Sequence, residues 1–319
     1  MSDPIRWGIL GTGGIARTFA GDLAYTDDGV VGAVGSRSKS SADAFGDRFG
    51  VPRRYDSYDD LVHDDQIDAV YVATPHPMHF DNASLALNAG KPVLVEKAFT
   101  MNAQEARNLV ALARSQKLFL MEAMWTRFLP HVVALRELIG AGRLGEIVSF
   151  EADHGQWFAL DPGFRLFAPE LGGGALLDLG VYPVSFASML LGTPERITAL
   201  VEPTFTGVDG QVSMIFGYES GAQSTLTCTS LARTATRACV SGTLARVEIA
   251  GDFYAPTTMS LISRDEEREE FSFDTQGRGL HYEAQEVARC LREGRSESGI
   301  MPLDESIAIM ETMDEVLAF

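Results

Sequence analysis

Near the amino terminus, the apolar run Ile5-Arg6-Trp7-Gly8-Ile9-Leu10 leads directly into Gly11-Thr12-Gly13-Gly14-Ile15-Ala16. This order predicts a buried strand, a tight turn and the start of a helix, and the glycines have the Gly-x-Gly-x-x-Ala spacing of dinucleotide-binding units. In such a unit Gly11 permits the turn, Gly13 lets the backbone approach a pyrophosphate, and Ala16 lets the helix pack close to the strand. The N–H groups at the helix start would face the phosphates. The predicted pyrophosphate-binding residues are Gly11, Thr12, Gly13, Gly14 and Ile15.

Strand-like and helix-like segments continue to alternate up to residue 122. Buried strands are predicted at 29–35, 68–73, 92–95 and 118–121, and helices between them at 40–49, 80–89 and 102–116. This alternation predicts an α/β fold in which residues 1–122 form a doubly wound, parallel Rossmann sheet.

The remaining chain, 123–319, has a different pattern. Apolar residues alternate in runs such as Val212, Met214 and Phe216, which is typical of a half-buried antiparallel sheet. We predict a C-terminal α+β domain with a large, mostly antiparallel open sheet, whose last helix, at about 303–317, packs back toward the Rossmann domain. Because a large uncovered sheet face tends to meet a partner, we expect a homodimer through this sheet, with exposure to solvent as the alternative.

Composition excludes several classes of partner. The 44 acidic and 26 basic residues give a net charge of −18, which opposes binding to nucleic acid or to an anionic membrane. No apolar run is expected to span a bilayer and no signal peptide is recognised, so the protein is expected to be cytoplasmic. Its length of 319 residues favours two domains.

The end of the second strand indicates which nucleotide is bound. Ser36 and Arg37 stand where an NAD site places a carboxylate on the ribose hydroxyls. A hydroxyl followed by a guanidinium suits the additional phosphate of NADP, because arginine binds phosphate in a bidentate way. We predict NADP rather than NAD, the alternative being that Arg37 is a solvated loop residue.

Polar residues also follow the third buried strand. Thr74, Pro75, His76 and His79 lie at its carboxyl end, where open parallel sheets bind their ligands. We expect them to border the nicotinamide side of the cofactor. The two histidines have a spacing that could hold a metal ion, but no other ligand accompanies them locally, so no metal is predicted.

Lys97 is the first candidate for chemistry. It follows Glu96 at the end of the next strand, in a chain whose other lysines are only Lys39, Lys91 and Lys117. A compact ammonium placed where strand ends meet a cofactor suggests a catalytic use. The alternative is an ordinary surface lysine.

A second candidate group lies in the C-terminal domain. Three glycines, Gly172 to Gly174, precede a predicted helix from Ala175 to Leu191 that carries Asp178 and Tyr182 four positions apart. On an α-helix these two residues share one face. They could address one polyol substrate together, or form only a hydrogen-bonded pair on the helix.

These features together resemble the Gfo/Idh/MocA family of oxidoreductases along essentially the whole chain. Ser36-Arg37, the segment 121–128 and the segment 173–182 are similar to the branch of dimeric dihydrodiol dehydrogenases and NADP-dependent D-xylose dehydrogenases. The resemblance implies hydride transfer between NADP and a carbinol or carbonyl carbon of an aldose or a cyclic trans-diol. The alternatives are reduction of a keto sugar or dicarbonyl compound, and a non-catalytic NADP-binding sensor.

The resemblance also implies residue roles. Tyr182 would be the general acid–base and Lys97 its electrostatic partner, because a free tyrosine has a pKa of about 10 and a nearby cation favours the phenolate. Asp178 would orient the substrate, and Glu96 would lie at the cofactor site with Lys97. Members of the family usually follow this Glu-Lys pair with proline, whereas Ala98 stands here, which leaves the cis or trans state of the peptide open. The candidate pocket residues are Trp125, Arg127, Phe158, Phe164 and Arg165.

Overall fold

The computed structural model describes residues 3–319, which divide into two compact units. The first unit contains the residues up to Trp125 together with Gln276–Ile307, and the second contains Thr126–Thr275 together with Ala308–Phe319. Each unit has its own sheet. The chain therefore forms one sheet-centred unit, leaves it to build a second, and returns.

The first unit is built on a six-stranded, fully parallel sheet with the order β3-β2-β1-β4-β5-β6. The strands are β1 (Ile5–Leu10), β2 (Gly29–Gly35), β3 (Arg53–Tyr55), β4 (Ala69–Val72), β5 (Val93–Glu96) and β6 (Leu120–Ala123). The strand order reverses direction between β1 and β4. In open α/β sheets this switch point is where ligands bind, so the fold places the glycine turn after β1 at such a position.

Five helices connect these strands: α1 (Gly14–Asp22), α2 (Lys39–Phe49), α3 (Tyr58–Val62), α4 (His79–Asn88) and α5 (Ala103–Gln116). Local sequence explains several helix ends. The Asn102 side chain accepts the Glu105 N–H at 2.9 Å and so caps α5, and α2 stops at Gly50, which has a left-handed backbone. The predicted helices are found within a residue or two of their expected ends, but β3 and α3 were not predicted because each is too short to show a period.

The second unit contains an eight-stranded sheet with the order β14-β13-β12-β11-β7-β10-β9-β8. The strands are β7 (Ile147–Gly155), β8 (Arg196–Pro203), β9 (Asp209–Gly217), β10 (Gln223–Thr229), β11 (Ala238–Gly242), β12 (Ala245–Ile249), β13 (Met259–Ser263) and β14 (Arg268–Phe271). Neighbouring strands are antiparallel except β7 and β10, which pair in parallel. The prediction of a mostly antiparallel sheet is confirmed.

One face of this sheet is buried and the other is largely uncovered. Phe150, Met214 and Leu226 are buried on the covered face. On the opposite face Leu200 is 64% exposed and Ile215 is 52% exposed. Apolar and polar residues therefore alternate along these strands because only one face of the sheet is buried.

The remaining helices are α6 (Pro130–Gly140), α7 (Val181–Leu191), α8 (Leu280–Arg292) and α9 (Leu303–Leu317). A single turn of π-helix, Leu176–Gly180, runs directly into α7. Helix α9 has the predicted bounds, and the division between the two units falls within it, after Ile307.

Helix α8 carries an unusual buried acid. Glu283 is fully buried, and among residues 3–319 neither of its carboxyl oxygens has a hydrogen-bond partner. The nearby Asp22 is also buried, but its carboxylate accepts the backbone N–H groups of Arg278 and Leu280. The two acids therefore differ: Asp22 accepts backbone N–H groups at the start of α8, whereas Glu283 has no hydrogen-bond partner among the described residues.

One apolar segment requires a correction. Among the residues described, the stretch Pro169–Leu191 is long and apolar enough to cross a bilayer by length and composition alone, with a mean hydropathy of 1.5 in its most apolar window. The expectation that no run reaches this length is therefore wrong. Since 78% of that window is buried inside the protein, the segment is accounted for as part of the core of the second unit.

Candidate active site

The glycine turn after β1 has the geometry that its sequence predicts. Gly11 has φ = +105°, and a Cβ atom there would lie 2.7 Å from the carbonyl oxygen of Ala73. Only glycine combines this backbone angle with such a close approach to the end of β4. The turn therefore packs β1 tightly against β4 at the switch point.

The next two glycines have a different surrounding. A Cβ on Gly13 or Gly14 would meet no atom within 4 Å, and Gly13 precedes α1 without any side-chain cap. No protein neighbour requires glycine at these two positions. An exposed helix start that offers bare backbone N–H groups fits a dinucleotide pyrophosphate, so the residues present fit the predicted cofactor.

The end of β2 fits NADP. Ser36 is buried, its N–H donates to the Tyr55 carbonyl at 3.1 Å, and its hydroxyl accepts the Ser38 N–H at 3.4 Å. Arg37 is exposed directly after it, and no carboxylate stands at either position. The guanidinium of Arg37 lies near Tyr58, whose pKa is raised by burial and lowered in part by that positive charge.

His76 and His79 support the backbone around Lys97. His76 Nε2 lies 3.1 Å from the Lys97 carbonyl oxygen, and His79 Nδ1 lies 2.8 Å from that of Ala98. The other ring nitrogen of His79 lies 2.8 Å from the carbonyl oxygen of Thr74. Burial lowers the pKa of His79, with a smaller contribution from the charge of Lys97, whereas the carbonyl contacts raise it. The Lys97–Ala98 peptide is cis.

Glu96 and Thr74 point into the protein. The hydroxyl of Tyr71 donates to one carboxylate oxygen of Glu96, and the other accepts the Lys97 N–H at 3.2 Å. Thr74 is buried and its hydroxyl accepts a hydrogen bond from Asn82 at 3.1 Å. Both residues are predicted to contact the cofactor, and these hydrogen bonds also make them supports for the strand ends that carry Lys97.

Two of the candidate pocket residues are deeply buried. Trp125 is 4% exposed at the end of the first unit. Arg127 is 2% exposed, and its guanidinium donates to the hydroxyl and the carbonyl oxygen of Ser185 at 3.1 and 2.7 Å. Arg127 therefore connects the helical turn Trp125–Phe128 to α7, and these contacts are structural.

The glycine-rich segment before α7 brings three parts of the second unit together. A Cβ on Gly174, whose φ is +128°, would lie 2.2 Å from a carboxylate oxygen of Asp209, and the same carboxylate accepts the Leu176 N–H at 2.6 Å. A Cβ on Gly180 would lie 2.8 Å from Cys228 Sγ on β10. Because these positions are glycine, the π turn can pack closely against β9 and β10. Asp209 accepts the N–H of Leu176, the first residue of the π turn.

The π turn changes the expected arrangement of Asp178 and Tyr182. A regular α-helix was predicted from 175 onward, but Asp178 lies in the π turn and Tyr182 in the first turn of α7. Asp178 forms a bidentate ion pair with Arg165, with nitrogen–oxygen distances of 3.0 and 2.9 Å. Single π turns occur frequently at functional sites.

Arg165 is also linked electrostatically to Tyr182. Burial lowers the pKa of Arg165, but attraction to Asp178, hydrogen bonds to it, and attraction to the Tyr182 phenolate raise the pKa above its usual value. The Asp178 side chain is 7% exposed and that of Arg165 is 50% exposed. This arrangement places a cation near the predicted acid–base residue within the second unit itself.

The structure adds His154 to the candidate site. Its ring centroid lies 5.2 Å from that of Tyr182 and 4.3 Å from that of Tyr254, on which it stacks. Nδ1 lies 3.0 Å from the Leu179 carbonyl oxygen, and Nε2 lies 3.0 Å from the amide nitrogen of Gln156. A carbonyl oxygen only accepts and an amide nitrogen only donates, so both contacts are satisfied by a neutral imidazole with its proton on Nδ1.

Gln156 completes this group, because its amide nitrogen also donates to the Tyr254 hydroxyl at 3.2 Å. The histidine–tyrosine cluster, defined as His154, Gln156, Tyr182 and Tyr254, therefore surrounds the predicted acid–base residue with oriented polar groups. Sequence reasoning missed its other three members. The only signal in the sequence was the alternation that places Phe150, Ala152 and His154 on one face of a strand.

The candidate pocket residues Phe158 and Phe164 lie next to each other. Their ring centroids are 5.4 Å apart in the loop between β7 and the π turn. Arg165 follows in the same loop. Within the described part of the chain, residues 3–319, no group of three or more His, Cys, Asp or Glu side chains is placed to hold a metal ion.

Comparison with known proteins agrees with both units. Residues 5–124 match the oxidoreductase family with an NAD-binding Rossmann fold, and residues 132–248 match the GFO/IDH/MocA C-terminal domain. A trans-1,2-dihydrobenzene-1,2-diol dehydrogenase from Bos taurus is 38% identical over 325 residues, covering 98% of this chain and 96% of that protein. The chain belongs to the Gfo/Idh/MocA family of oxidoreductases.

Two other proteins refine this assignment. D-xylose 1-dehydrogenase (NADP(+)) from Hypocrea jecorina is 36% identical over 356 residues, covering 98% of this chain and 91% of that enzyme. A crystal structure of a 3-ketoreductase from Actinomadura kijaniata with NADP and TDP-benzene has a TM-score of 0.87 at 27% identity, covering 99% of this chain and 97% of that one. The predicted family, fold class and enzyme class are confirmed: this Gfo/Idh/MocA oxidoreductase transfers hydride with NADP as its cofactor.

Proposed function

We propose that this oxidoreductase interconverts a CH–OH group and a carbonyl group on an aldose or a cyclic trans-diol. The observation that carries the proposal is the environment of Tyr182, a phenol that is only 6% exposed yet lies against a neutral histidine and near the Arg165 cation. The two relatives described above that act on a diol and on D-xylose support this substrate class.

The proposed roles follow from what each side chain offers. NADP supplies the hydride acceptor when it is bound. Tyr182 accepts the proton of the substrate hydroxyl, and positive charge from Arg165 favours its phenolate. Lys97 contributes a positive charge within the first unit, directly after the end of β5. Asp178, fixed by Arg165, accepts hydrogen bonds from neighbouring substrate hydroxyls.

The deciding experiment is an initial-rate assay of NADPH formation with D-xylose, D-glucose, other aldoses and a trans-dihydrodiol, run in parallel with NAD. We expect saturable, NADP-linked turnover of at least one of these substrates. Tyr182→Phe should lower kcat/KM by roughly a hundredfold or more, as expected for loss of a general acid–base. Wild-type turnover in Tyr182→Phe would contradict the assigned role of Tyr182.

A second candidate is reduction of a keto sugar, for which the structural similarity to the 3-ketoreductase is the supporting observation. The same residues would then deliver a proton to the carbonyl oxygen. NADPH consumption with keto sugars or dicarbonyl compounds, without NADPH formation from the alcohols, would favour this candidate.

We also propose that the protein is a homodimer formed through the uncovered face of the eight-stranded sheet. Leu200 and Ile215 are more than half exposed on neighbouring strands of that face. Light scattering coupled to gel filtration should show a dimer, and the double variant Leu200→Glu, Ile215→Glu should be monomeric. A wild-type monomer, or a double variant that stays dimeric, would rule out this interface.

A further inference from the structure

A groove beside the glycine turn of the first unit has no place in the site described so far. It lies between the turn and helix α2 and has a volume of about 300 Å³. Ser41, Ala44 and Arg48 line it from α2, at the helical spacing of three or four residues that puts side chains on one face. The complete lining is Thr12, Arg17, Ser41, Ala44, Phe45 and Arg48.

The two arginines of the groove are held in place by neutral groups. Arg17 donates to the Thr12 carbonyl oxygen at 2.7 Å, which fixes its guanidinium at the turn. The guanidinium carbon of Arg48 lies 5.2 Å from the ring centroid of Phe49. Between residues 3 and 319, neither arginine forms an ion pair with a carboxylate, and no acidic residue lines the groove.

The acids of α2 are engaged elsewhere. Asp43 pairs with Lys39 at 2.9 Å, and Asp47 pairs with Arg54 at 2.7 Å. The chain as a whole has a net charge of −18, so a groove with two guanidinium groups and no carboxylate is unusual. Its positive charge favours an anionic ligand. A guanidinium prefers phosphate or carboxylate, which it can bind in a bidentate way.

The position of the groove selects the ligand. Thr12 belongs to the pyrophosphate turn, and α2 begins directly after Ser36 and Arg37, where the adenosine ribose of a dinucleotide is bound. We propose that Arg17 and Arg48, with Ser41, add to Arg37 in binding the adenosine 2′-phosphate of NADP. This inference rests on NADP as the cofactor and adds residues that determine the preference for NADP over NAD.

The test measures binding without any substrate. Dissociation constants for NADPH and NADH are measured by fluorescence titration, and those for 2′,5′-ADP and 5′-AMP by calorimetry, at low ionic strength, where electrostatic contacts are least screened. The double variant Arg17→Ala, Arg48→Ala should bind NADPH and 2′,5′-ADP at least roughly tenfold more weakly, with NADH and 5′-AMP affinities unchanged.

Two further variants control for charge and for folding. Arg264→Ala removes one positive charge from the second unit and should leave all four affinities unchanged. Ala44→Glu keeps both arginines and places a carboxylate in the groove at an exposed helical position, so it should weaken only the two ligands that carry a 2′-phosphate.

Three results with the variants would overturn the proposal: unchanged affinity for 2′,5′-ADP in both groove variants, equal losses for NADPH and NADH, or the same loss in Arg264→Ala. Inorganic phosphate, titrated as a competitor, separates a general anion site from a nucleotide site. If it binds the wild type as tightly as 2′,5′-ADP does, the assignment to the 2′-phosphate is also wrong. Failure of the aldose and diol assay would not affect these measurements, so the two proposals can fail separately.

Discussion

Gln156 is a hydrogen-bond partner of His154 Nε2. Its amide nitrogen donates to His154 Nε2 and to the Tyr254 hydroxyl, so Nε2 must offer a lone pair. Gln156→Glu replaces this donor with a carboxylate that only accepts, which draws a proton onto Nε2. We expect kcat/KM to fall by roughly tenfold, with NADPH affinity unchanged. Initial rates and fluorescence titration check this expectation.

Histidine NMR provides an independent measurement for this substitution. The wild-type spectrum should show the His154 tautomer with its proton on Nδ1, and Gln156→Glu should show an imidazolium. Gln156→Ala, which removes the donor without adding charge, is the matched control. An unchanged tautomer in Gln156→Glu would contradict the role given to the amide.

Gly11 and Gly13 form a matched pair for mutation. Gly11→Ala would force a Cβ to within 2.7 Å of the Ala73 carbonyl oxygen at φ = +105°, so it should lower the free energy of unfolding by about 1–3 kcal/mol. Gly13→Ala meets no protein atom within 4 Å and should leave stability unchanged while weakening NADPH binding. Urea unfolding and NADPH titration separate the two effects. A Gly13→Ala variant with wild-type affinity would argue against close approach of the cofactor at Gly13.

At the scale of residues, the glycine turn was predictable because its requirements are local. A tight turn, a positive φ and a bare helix start are each specified within a few positions of sequence. The histidine–tyrosine cluster was not predictable, because Tyr254 comes from the turn after β12 and His154 from β7, far apart in the chain. Arg165 was predicted as a pocket residue, but its pairing with Asp178 depends on how the loop folds back.

Asp209 holds the start of the helical segment that carries Asp178. Its carboxylate accepts the Leu176 N–H at 2.6 Å, as an N-cap side chain would, although it comes from β9. Asp209→Ala should cost about 1–2 kcal/mol of stability and lower kcat, because the π turn loses its anchor. Thermal denaturation and initial rates measure both effects. Asp209→Asn, which keeps an acceptor, should retain more of the stability and of kcat than Asp209→Ala. Equal losses in the two variants would show that the hydrogen bond to Leu176 is not an anchor.

At the scale of elements, hydrophobic periodicity located α2, α4, α5 and α9 to within a residue or two, together with the five longer strands of the first sheet. It did not reveal the π turn, because the residues of Leu176–Gly180 have the same apolar character in an α-helix and a π-helix. The difference arises from packing: Gly180 lets the turn approach Cys228, and Asp209 fixes its first N–H. Short elements such as β3 and α3 depend in the same way on their neighbours, as in the ion pair between Arg53 and Asp64.

At the scale of the whole molecule, Glu283 makes stability depend on pH. Burial raises the pKa of Glu283 well above its ordinary range, and the carboxylates of Glu96 and Asp22 raise it further. In the unfolded chain the same group loses its proton at the ordinary glutamate pKa, so between the two values the folded state binds more protons. Stability therefore falls as pH rises above the ordinary glutamate range.

Glu283→Gln removes this dependence. The variant should gain roughly 2–4 °C in Tm relative to wild type at about pH 8 and gain little at about pH 5. Calorimetric scans across this range make the comparison, with Glu293→Gln, at an exposed position near the end of α8, as the control. A gain of the same size at both pH values would contradict the titration of Glu283 as its cause.

The parallel pair β7 and β10 at the centre of the second sheet also determines how that unit folds. After β7, the chain passes through the loop that contains Phe158 and Phe164, the π turn, α7, β8 and β9. Only then does β10 pair with β7. The hairpins on either side can form early from nearby residues, but this central pairing must close a long loop, which is slow. His154, at the end of β7, acquires its neighbours from β10 onward only after that closure. We therefore expect catalytic competence to be among the last properties recovered when the chain refolds from denaturant.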